Sequence, residues 1–260
     1  MNEFINITIL SVLQGIAEFL PISSSGHLVI GQHFLGVNAP GLRLDTFLHV
    51  GTLIAIFVYY RKVVGSILRG IVKCEIEALL YASKVIVSAI PAVIIYILFD
   101  DKIESLFENA KMVGALLMFT SVVLIITRYL PRGENPSTFK NALFMGLAQA
   151  IALLPGVSRS GMTLTASRMC KMSSEKAAEF SFLMSAPLIC GAALMHIIES
   201  FSQPASSGEV SWALTLYGAF VAAIVGYFSL ALLVRSLKSQ GFWMFGIYCF
   251  IAGLLTLCFC

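Results

Sequence analysis

Apolar residues run along the chain in ten segments that polar stretches separate, and the segments form two successive sets of five. The first set covers about 4–20, 24–36, 44–60, 81–99 and 111–130, and the second covers about 140–154, 160–171, 177–198, 211–234 and 242–260. Three segments in each set approach the roughly 20 residues that a helix needs to cross a bilayer. The pattern predicts an all-α polytopic membrane protein with about six transmembrane helices.

Pro, Gly and Ser interrupt the first two segments of each set, and the second segment is short. A pair of this kind is typical of a re-entrant helical hairpin. Non-helical backbone at membrane depth is tolerated only where protein or a polar cavity satisfies its hydrogen bonds. We therefore expect two re-entrant hairpins whose serine-rich turns point inward.

Composition narrows the class of protein. Hydrophobic residues make up 58% of the chain and charged residues 12%, which indicates an integral membrane protein and excludes an ordinary soluble domain. The net charge of +3 comes from Lys and Arg in short loops, so it reports orientation rather than a nucleic-acid partner. The stretch 5–20 lacks a basic start and a cleavage site, so no removable signal peptide is predicted. The six cysteines lack Cys-x-x-Cys spacing, which favours neither a zinc site nor a disulfide framework.

The two sets of segments also share sequence. Residues 14–26, QGIAEFLPISSSG, align without a gap with residues 149–161, QAIALLPGVSRSG, and the shared Gln, Ser and Gly positions argue against chance similarity. Internal repeats are common in membrane transport folds. The sequence predicts a single membrane domain over 1–260, with repeat 1 at about 1–130 and repeat 2 at about 136–260.

Loop charges predict the orientation of the helices. Basic residues cluster in 61–73 and 128–140, acidic residues prevail in 100–104, and 199–211 has neither Lys nor Arg. By the positive-inside rule, the first two loops are cytoplasmic and the other two face outward. Because each half holds three spans, an odd number, the second half must be inverted relative to the first. The two hairpins then enter from opposite faces, and their tips can meet near the midplane.

The second serine-rich turn carries Arg159 between two serines in a strongly apolar part of the chain. An arginine in a lipid-facing helix costs about 2.5–3.5 kcal/mol on insertion scales, so an intramembrane arginine indicates a functional site. The alternative is an arginine at a helix end whose charged head reaches the membrane interface.

Gln14 and Glu18 lie one helical turn apart before the first serine-rich turn, so the amide and the carboxylate share a helix face. Glu18 is the one acidic residue between Glu3 and Asp45. It could be a structural partner of Arg159, and a desolvated carboxylate beside a cation can also accept a proton from a hydroxyl. Glu18 is therefore the candidate general base.

Each serine-rich turn opens a short helix, near Ser24 in the first hairpin and near Ser160 in the second. Helix N-termini attract anions because their N–H groups are free and this end of the helix dipole is positive. Serine is also a common N-cap, so capping explains some of these serines. We expect the two turns to form a phosphate cradle. Its candidate residues are Gln14, Ser23, Ser158, Ser160 and Thr163.

Phosphoryl transfer needs a nucleophile, a base that activates it and positive charge on the transferred group. Ser24, Glu18 and Arg159 can supply these three. His27 lies one turn beyond Ser24 and could protonate the leaving oxygen or assist the base, with a structural hydrogen bond as the alternative. The sequence leaves open whether Ser24, another serine or water attacks. The other histidines, His33, His49 and His196, are interpreted as satisfied core or interface groups.

These motifs resemble the paired signatures of the undecaprenyl-diphosphate phosphatase family, often called BacA or UppP. The resemblance covers the whole chain and is carried by Gln14-x-x-x-Glu18, by Pro21-Ile22-Ser23-Ser24-Ser25-Gly26-His27 and by Pro155-Gly156-Val157-Ser158-Arg159-Ser160-Gly161-Met162-Thr163. It implies a bacterial plasma-membrane hydrolase that converts undecaprenyl diphosphate to undecaprenyl phosphate, recycles the lipid carrier of cell-wall synthesis and confers bacitracin resistance. It also implies an active site open to the outer side, a homodimer, and dependence on Mg²⁺ or Ca²⁺.

The resemblance assigns the acidic signature to Gln14 and Glu18, the nucleophile to Ser24, and phosphate binding to Ser158, Arg159 and Thr163. Many members have a second glutamate where this chain has Gln14, which cannot act as a base or bind a metal as an anion. A two-metal mechanism is therefore poorly supported, and a cation would bridge Glu18 and the substrate phosphates.

Two other classes of protein fit parts of the pattern. Ser25-Gly26-His27 mimics an element of the type-2 phosphatidic acid phosphatases, but the next histidine after Arg159 is His196, which is too distant for that family. An inverted repeat with broken helices is also typical of transporters, so a flippase for polyprenyl phosphate is the alternative function. Release of inorganic phosphate by the purified protein would distinguish the enzyme from a transporter.

Overall fold

The computed structural model describes residues 3–36, 41–131, 133–202, 210–237 and 241–260, and this part of the chain is helical without a β-strand. The first six helices are α1 (Glu3–Ala17), α2 (Ser24–Leu35), α3 (Gly41–Tyr59), α4 (Arg61–Val72), α5 (Ile76–Phe107) and α6 (Ala110–Ile126). The next six are α7 (Phe139–Ile151), α8 (Arg159–Met169), α9 (Ser174–Leu183), α10 (Ala186–Ser202), α11 (Trp212–Leu237) and α12 (Met244–Phe259).

Several of these helices are long and apolar enough to cross a membrane. Four stretches qualify alone: Ile76–Phe107, Ala110–Tyr129, Ser174–Met195 and Trp212–Leu237. The pair formed by α3 and α4 adds a fifth if it is counted as one span with a bend of 81°. The helix α12 has 16 residues and is shorter than the roughly 20 that a span needs. The chain is therefore a multi-pass membrane protein with four to five candidate spans in its described part.

The predicted loop at 100–104 is helical in the structure. The helix α5 continues to Phe107 after a kink at Phe99, whose φ of −139° and ψ of 20° are not helical. Asp100 accepts a hydrogen bond from the N–H of Asp101 at 2.9 Å just after this kink. Acidic residues stabilise the N-terminal end of a helical segment. The acidic residues that predicted a loop therefore lie at the start of the helical segment that follows the kink. Part of another predicted loop, 203–209, and Arg132 lie outside the described residues.

The basic stretch 61–73, also predicted as a loop, is mostly the helix α4. Val63, Val64 and Ile67 pack against the core, while Arg61 and Arg69 are exposed. Apolar residues on one face and basic residues on the other are typical of a helix at a membrane interface. The basic residues are thus carried by an amphipathic helix rather than by an irregular loop.

The packing of the helices brings the two halves of the chain together. The helix α1 packs on α11, α7 packs on α5, and α6 packs on α12. Phe19, Phe180 and Phe182 are fully buried, and the rings of Phe19 and Phe182 meet edge to face at 5.6 Å. The six cysteines are free thiols in the structure.

Candidate active site

The two serine-rich turns contact each other, as the sequence predicted. A Cβ atom added to Gly26 would lie 3.0 Å from the Cα atom of Gly156, so the two backbones touch. The hydroxyl of Ser160 donates to the carbonyl of Leu20 across the same contact at 3.3 Å. Gly156 has a φ of +95°, a conformation that glycine adopts far more readily than other residues.

Ser23 and Ser158 are the N-caps of α2 and α8. The hydroxyl of Ser23 accepts from the N–H of Gly26 at 3.2 Å, and the hydroxyl of Ser158 accepts from the N–H of Gly161 at 3.1 Å. The hydroxyl of each cap also lies 3.3 Å from the hydroxyl of the serine two residues later, Ser25 or Ser160. The capping interpretation therefore holds for these two serines, and the two turns repeat the same hydrogen bonds.

Glu18 is the centre of the site, and its side chain is only 2% exposed. Its Oε2 atom accepts from the Ser24 hydroxyl at 2.6 Å and from the Gln14 amide at 3.0 Å. Its Oε1 atom is ion-paired with the guanidinium of Arg159 from the second hairpin. Two residues that are far apart in sequence thus form one buried ion pair. The guanidinium of Arg159 is therefore paired within the protein.

Ser24 differs from the other serines of the turns because its hydroxyl donates to the carboxylate. Ser24 is partly buried. A carboxylate within hydrogen-bond distance of a hydroxyl has the geometry of a general base. Glu18 can therefore remove the proton of Ser24.

Thr163 and Ser160 make hydrogen bonds within the protein. The hydroxyl of Thr163 donates to the carbonyl of Arg159 at 2.8 Å and lies 2.6 Å from the Ser181 hydroxyl. Both Thr163 and Ser160 are buried. They support the start of α8 in the structure, and their predicted contact with a phosphate stays a prediction.

Thr120 was not among the site residues predicted from the sequence. Its hydroxyl donates to the carbonyl of Gly156 at 2.8 Å and accepts from the N–H of Ser158 at 3.1 Å, which holds the second turn. Nothing in the local pattern of α6 marks this threonine, because its partners lie in another part of the sequence.

His27 makes its side-chain hydrogen bonds to groups other than Glu18. Its Nδ1 atom lies 2.9 Å from the carbonyl of Ser23 and its Nε2 atom lies 2.8 Å from the hydroxyl of Tyr248 on α12. A carbonyl only accepts, so Nδ1 donates and Nε2 accepts from the tyrosine. Both ring nitrogens are therefore engaged, which favours the structural interpretation of this histidine.

His49 is the histidine that lies near the carboxylate, and the sequence interpretation as a core group overlooked it. Its Nε2 atom is 3.5 Å from Oε2 of Glu18, and its side chain is 30% exposed. Its Nδ1 atom lies 2.8 Å from the carbonyl of Asp45 one helical turn earlier. The side chain of His33 is exposed, and that of His196 lies outside the described residues.

The residues at this site do not fit a cation held by the protein. Both oxygens of Glu18 already accept from donors, and one of them faces a guanidinium. The described residues contain no group of three His, Cys, Asp or Glu side chains that could hold a metal ion. Hard cations such as Mg²⁺ and Ca²⁺ need several oxygen ligands, and a single paired carboxylate does not supply them.

The fold and the site define a multi-pass helical membrane protein with a buried Ser–Glu–Arg cluster between two hairpins. Residues 7–255 match the family described as bacitracin resistance protein BacA, and the chain belongs to this family. It is 37% identical to an undecaprenyl-diphosphatase of Desulforapulum autotrophicum, over 96% of this chain and 95% of the relative. It is 36% identical to proteins of the same name from Halothermothrix orenii, over 98% and 97% of the two chains, and from Methanosphaera stadtmanae, over 99% and 98%.

Proposed function

We propose that this protein is an undecaprenyl-diphosphatase, a membrane hydrolase that converts undecaprenyl diphosphate to undecaprenyl phosphate and inorganic phosphate. The observation that carries the proposal is the hydrogen bond of 2.6 Å from the Ser24 hydroxyl to Glu18, beside Arg159. Relatives that align over nearly their full length bear the name of this activity. Such an enzyme recycles the lipid carrier of cell-wall synthesis, and its overproduction gives bacitracin resistance.

Substrate binding and catalysis are coupled through Arg159. A terminal phosphate competes with Glu18 for the guanidinium, because phosphate offers the same bidentate acceptor geometry as a carboxylate. When Arg159 turns to the phosphate, Glu18 loses its cationic partner and becomes a stronger base. The substrate therefore activates the base by the same contact that binds it.

The chemistry then follows from the order of the side chains. Ser24 gives its proton to Glu18 and attacks the terminal phosphorus, and the bond from phosphorus to the bridging oxygen breaks to release the lipid monophosphate. Water then attacks the phosphoserine, releases phosphate and restores the serine. Arg159 and the N-terminal ends of α2 and α8 stabilise the charge of the transferred group. We assign this nucleophile to Ser24 because its hydroxyl donates to Glu18.

The inverted arrangement of the halves belongs to the same proposal. The packing of α1 on α11 and of α7 on α5, with equivalent caps at Ser23 and Ser158, supports two repeats at about 1–130 and 136–260 in a single membrane domain. Inverted repeats place broken helices at the middle of a membrane. We place the protein in the plasma membrane with the site open to the outer side, as a homodimer, and any divalent cation would arrive bound to the substrate diphosphate.

Phosphate release by the purified protein tests the function. In detergent micelles with a polyprenyl diphosphate, we expect Ser24→Ala and Glu18→Gln to lower kcat by about 10² to 10⁴, the usual contribution of acid–base catalysis. Ser25→Ala is the matched control, because its hydroxyl bonds Ser23 rather than Glu18. A wild-type protein that moves polyprenyl phosphate across vesicles but releases no phosphate would instead support a flippase.

A further inference from the structure

His49 and Glu18 face each other across a short gap. The Nε2 atom of His49 lies 3.5 Å from Oε2, which is the carboxylate oxygen that accepts from Ser24. The glutamate side chain is 2% exposed, whereas the histidine side chain is 30% exposed. His49 is therefore the more exposed member of this pair.

The contact of the other ring nitrogen defines the tautomer. Nδ1 lies 2.8 Å from the carbonyl of Asp45, and a carbonyl oxygen only accepts, so Nδ1 carries the proton of the neutral ring. Nε2 then presents a lone pair to Oε2. Two acceptors without a proton between them stay farther apart than a hydrogen bond, which agrees with the distance of 3.5 Å. Nε2 can therefore accept a proton from Oε2 once Oε2 carries one.

We propose that His49 takes from Glu18 the proton that Glu18 removes from the attacking hydroxyl. The O–H bond of Ser24 breaks and an Oε2–H bond forms, and that bond then breaks as Nε2–H forms. The imidazolium gives this proton to water at its exposed edge, so each turnover restores a free carboxylate and a neutral ring. This inference rests on the proposed function, and His49 acts through Glu18 as a positioning and relay residue.

The charges around His49 suit this role. The Asp45 side chain, on the same helix, accepts from the Gln32 amide at 3.2 and 3.3 Å. Arg159 pairs with the other oxygen of Glu18. Three other helices packed on α3 could place charges near His49. The helix α11 has no charged residue before Arg235, and α10 has none over 186–195. The helix α4 carries basic residues, but it begins at Arg61, beyond the C-terminal end of α3. His27, by contrast, has no free ring nitrogen for the relay.

The activity test compares His49→Gln and His49→Ala with His33→Gln, a matched change at an exposed histidine outside the site. We expect both changes at His49 to lower kcat by about 10²-fold at neutral pH with little change in KM, and added imidazole to restore part of the activity of His49→Ala. An unchanged kcat in both His49 variants, or a loss in His49→Ala that imidazole does not restore, would overturn the proposal.

A measurement that needs no turnover separates this proposal from the proposed function. In ¹⁵N-histidine NMR spectra of the detergent-solubilised wild type near neutral pH, we expect the His49 ring to carry its proton on Nδ1. In Glu18→Gln the glutamine amide can donate to Nε2, so the Nε2 signal should shift while that of His33 stays in place. A ring protonated on Nε2 alone would contradict the relay even in a fully active enzyme, and an inactive wild type would contradict only the function.

Discussion

At the scale of single residues, the buried pair of Glu18 and Arg159 is the centre of the proposed site. The two side chains are held by separate hairpins and neutralise each other within the protein. Breaking a buried ion pair leaves an uncompensated charge, so both partners matter for folding as well as for catalysis. Substitutions that keep the charge or the shape of the side chain therefore test catalysis better than substitution by alanine.

We expect Arg159→Lys to keep the fold but to lower kcat by about 10³-fold, because lysine retains the charge and loses the bidentate contact with phosphate. Arginine residues on a transferred phosphoryl group contribute factors of about 10³ to 10⁵. Phosphate release at saturating lipid substrate checks this, with the thermal midpoint as the control for folding. A variant with most of the wild-type kcat would contradict the assignment of Arg159.

Cation binding is a second prediction at this scale. The single paired carboxylate predicts that the protein without substrate shows no saturable binding of Mg²⁺ or Ca²⁺ at micromolar concentration in calorimetry. Tight binding that Glu18→Gln removes would mean that the carboxylate exchanges its present partners for a metal ion.

The sequence singled out Glu18, Ser24 and Arg159, which the structure brings into contact, but it did not predict all of the side chains around them. Glu18, Ser24 and Arg159 stand out because charge and hydroxyls are costly in apolar segments, and this local signal does not depend on the fold. The orientation of His27 depends on Tyr248, and the role of His49 depends on which face of α3 meets α1. Both are settled by helix packing, which no local pattern encodes.

At the scale of elements, the contact between the two turns holds the site together. An added Cβ at Gly156 would lie 2.5 Å from the carbonyl oxygen of Val113, and the φ of +95° disfavours any side chain. The serine-rich turns themselves were predictable because Pro, Gly and Ser interrupt apolar segments. The helix α4 was not predicted, because its basic residues also suit a loop, and only its packed apolar face identifies it as a helix.

We expect Gly156→Ala to destabilise the protein by about 1–3 kcal/mol, the range for a residue held in an unfavourable backbone conformation, and to reduce kcat by separating Glu18 from Arg159. Gly65→Ala on α4 is the matched control, since its added Cβ meets no atom within 4 Å. Thermal unfolding in detergent followed by the activity assay measures both effects. Equal midpoints for the two variants would argue against a tight contact between the turns.

At the scale of the whole molecule, the fold brings the candidate active site together between the two hairpins. Each hairpin supplies part of this site, namely Glu18 and Ser24 from one and Arg159 from the other. The helices α5, α6 and α11 pack on the hairpins, and α12 contacts the first hairpin through Tyr248 and Cys249. The all-helical, multi-pass class was predictable from the apolar segments. The described residues contain four to five candidate spans, whereas the sequence predicted about six transmembrane helices, and the pairing of the helices required the structure.

The most direct measurement is the location of the phosphoryl group during turnover. Wild-type enzyme is mixed with polyprenyl diphosphate labelled in its terminal phosphate, quenched in acid within milliseconds, digested and analysed by mass spectrometry. We predict one labelled peptide, with the phosphoryl group on Ser24 and no label in Ser24→Ala. A phosphoryl group on Ser158 or Ser160, or full turnover by Ser24→Ala, would contradict the assignment of Ser24 as the nucleophile that Glu18 activates.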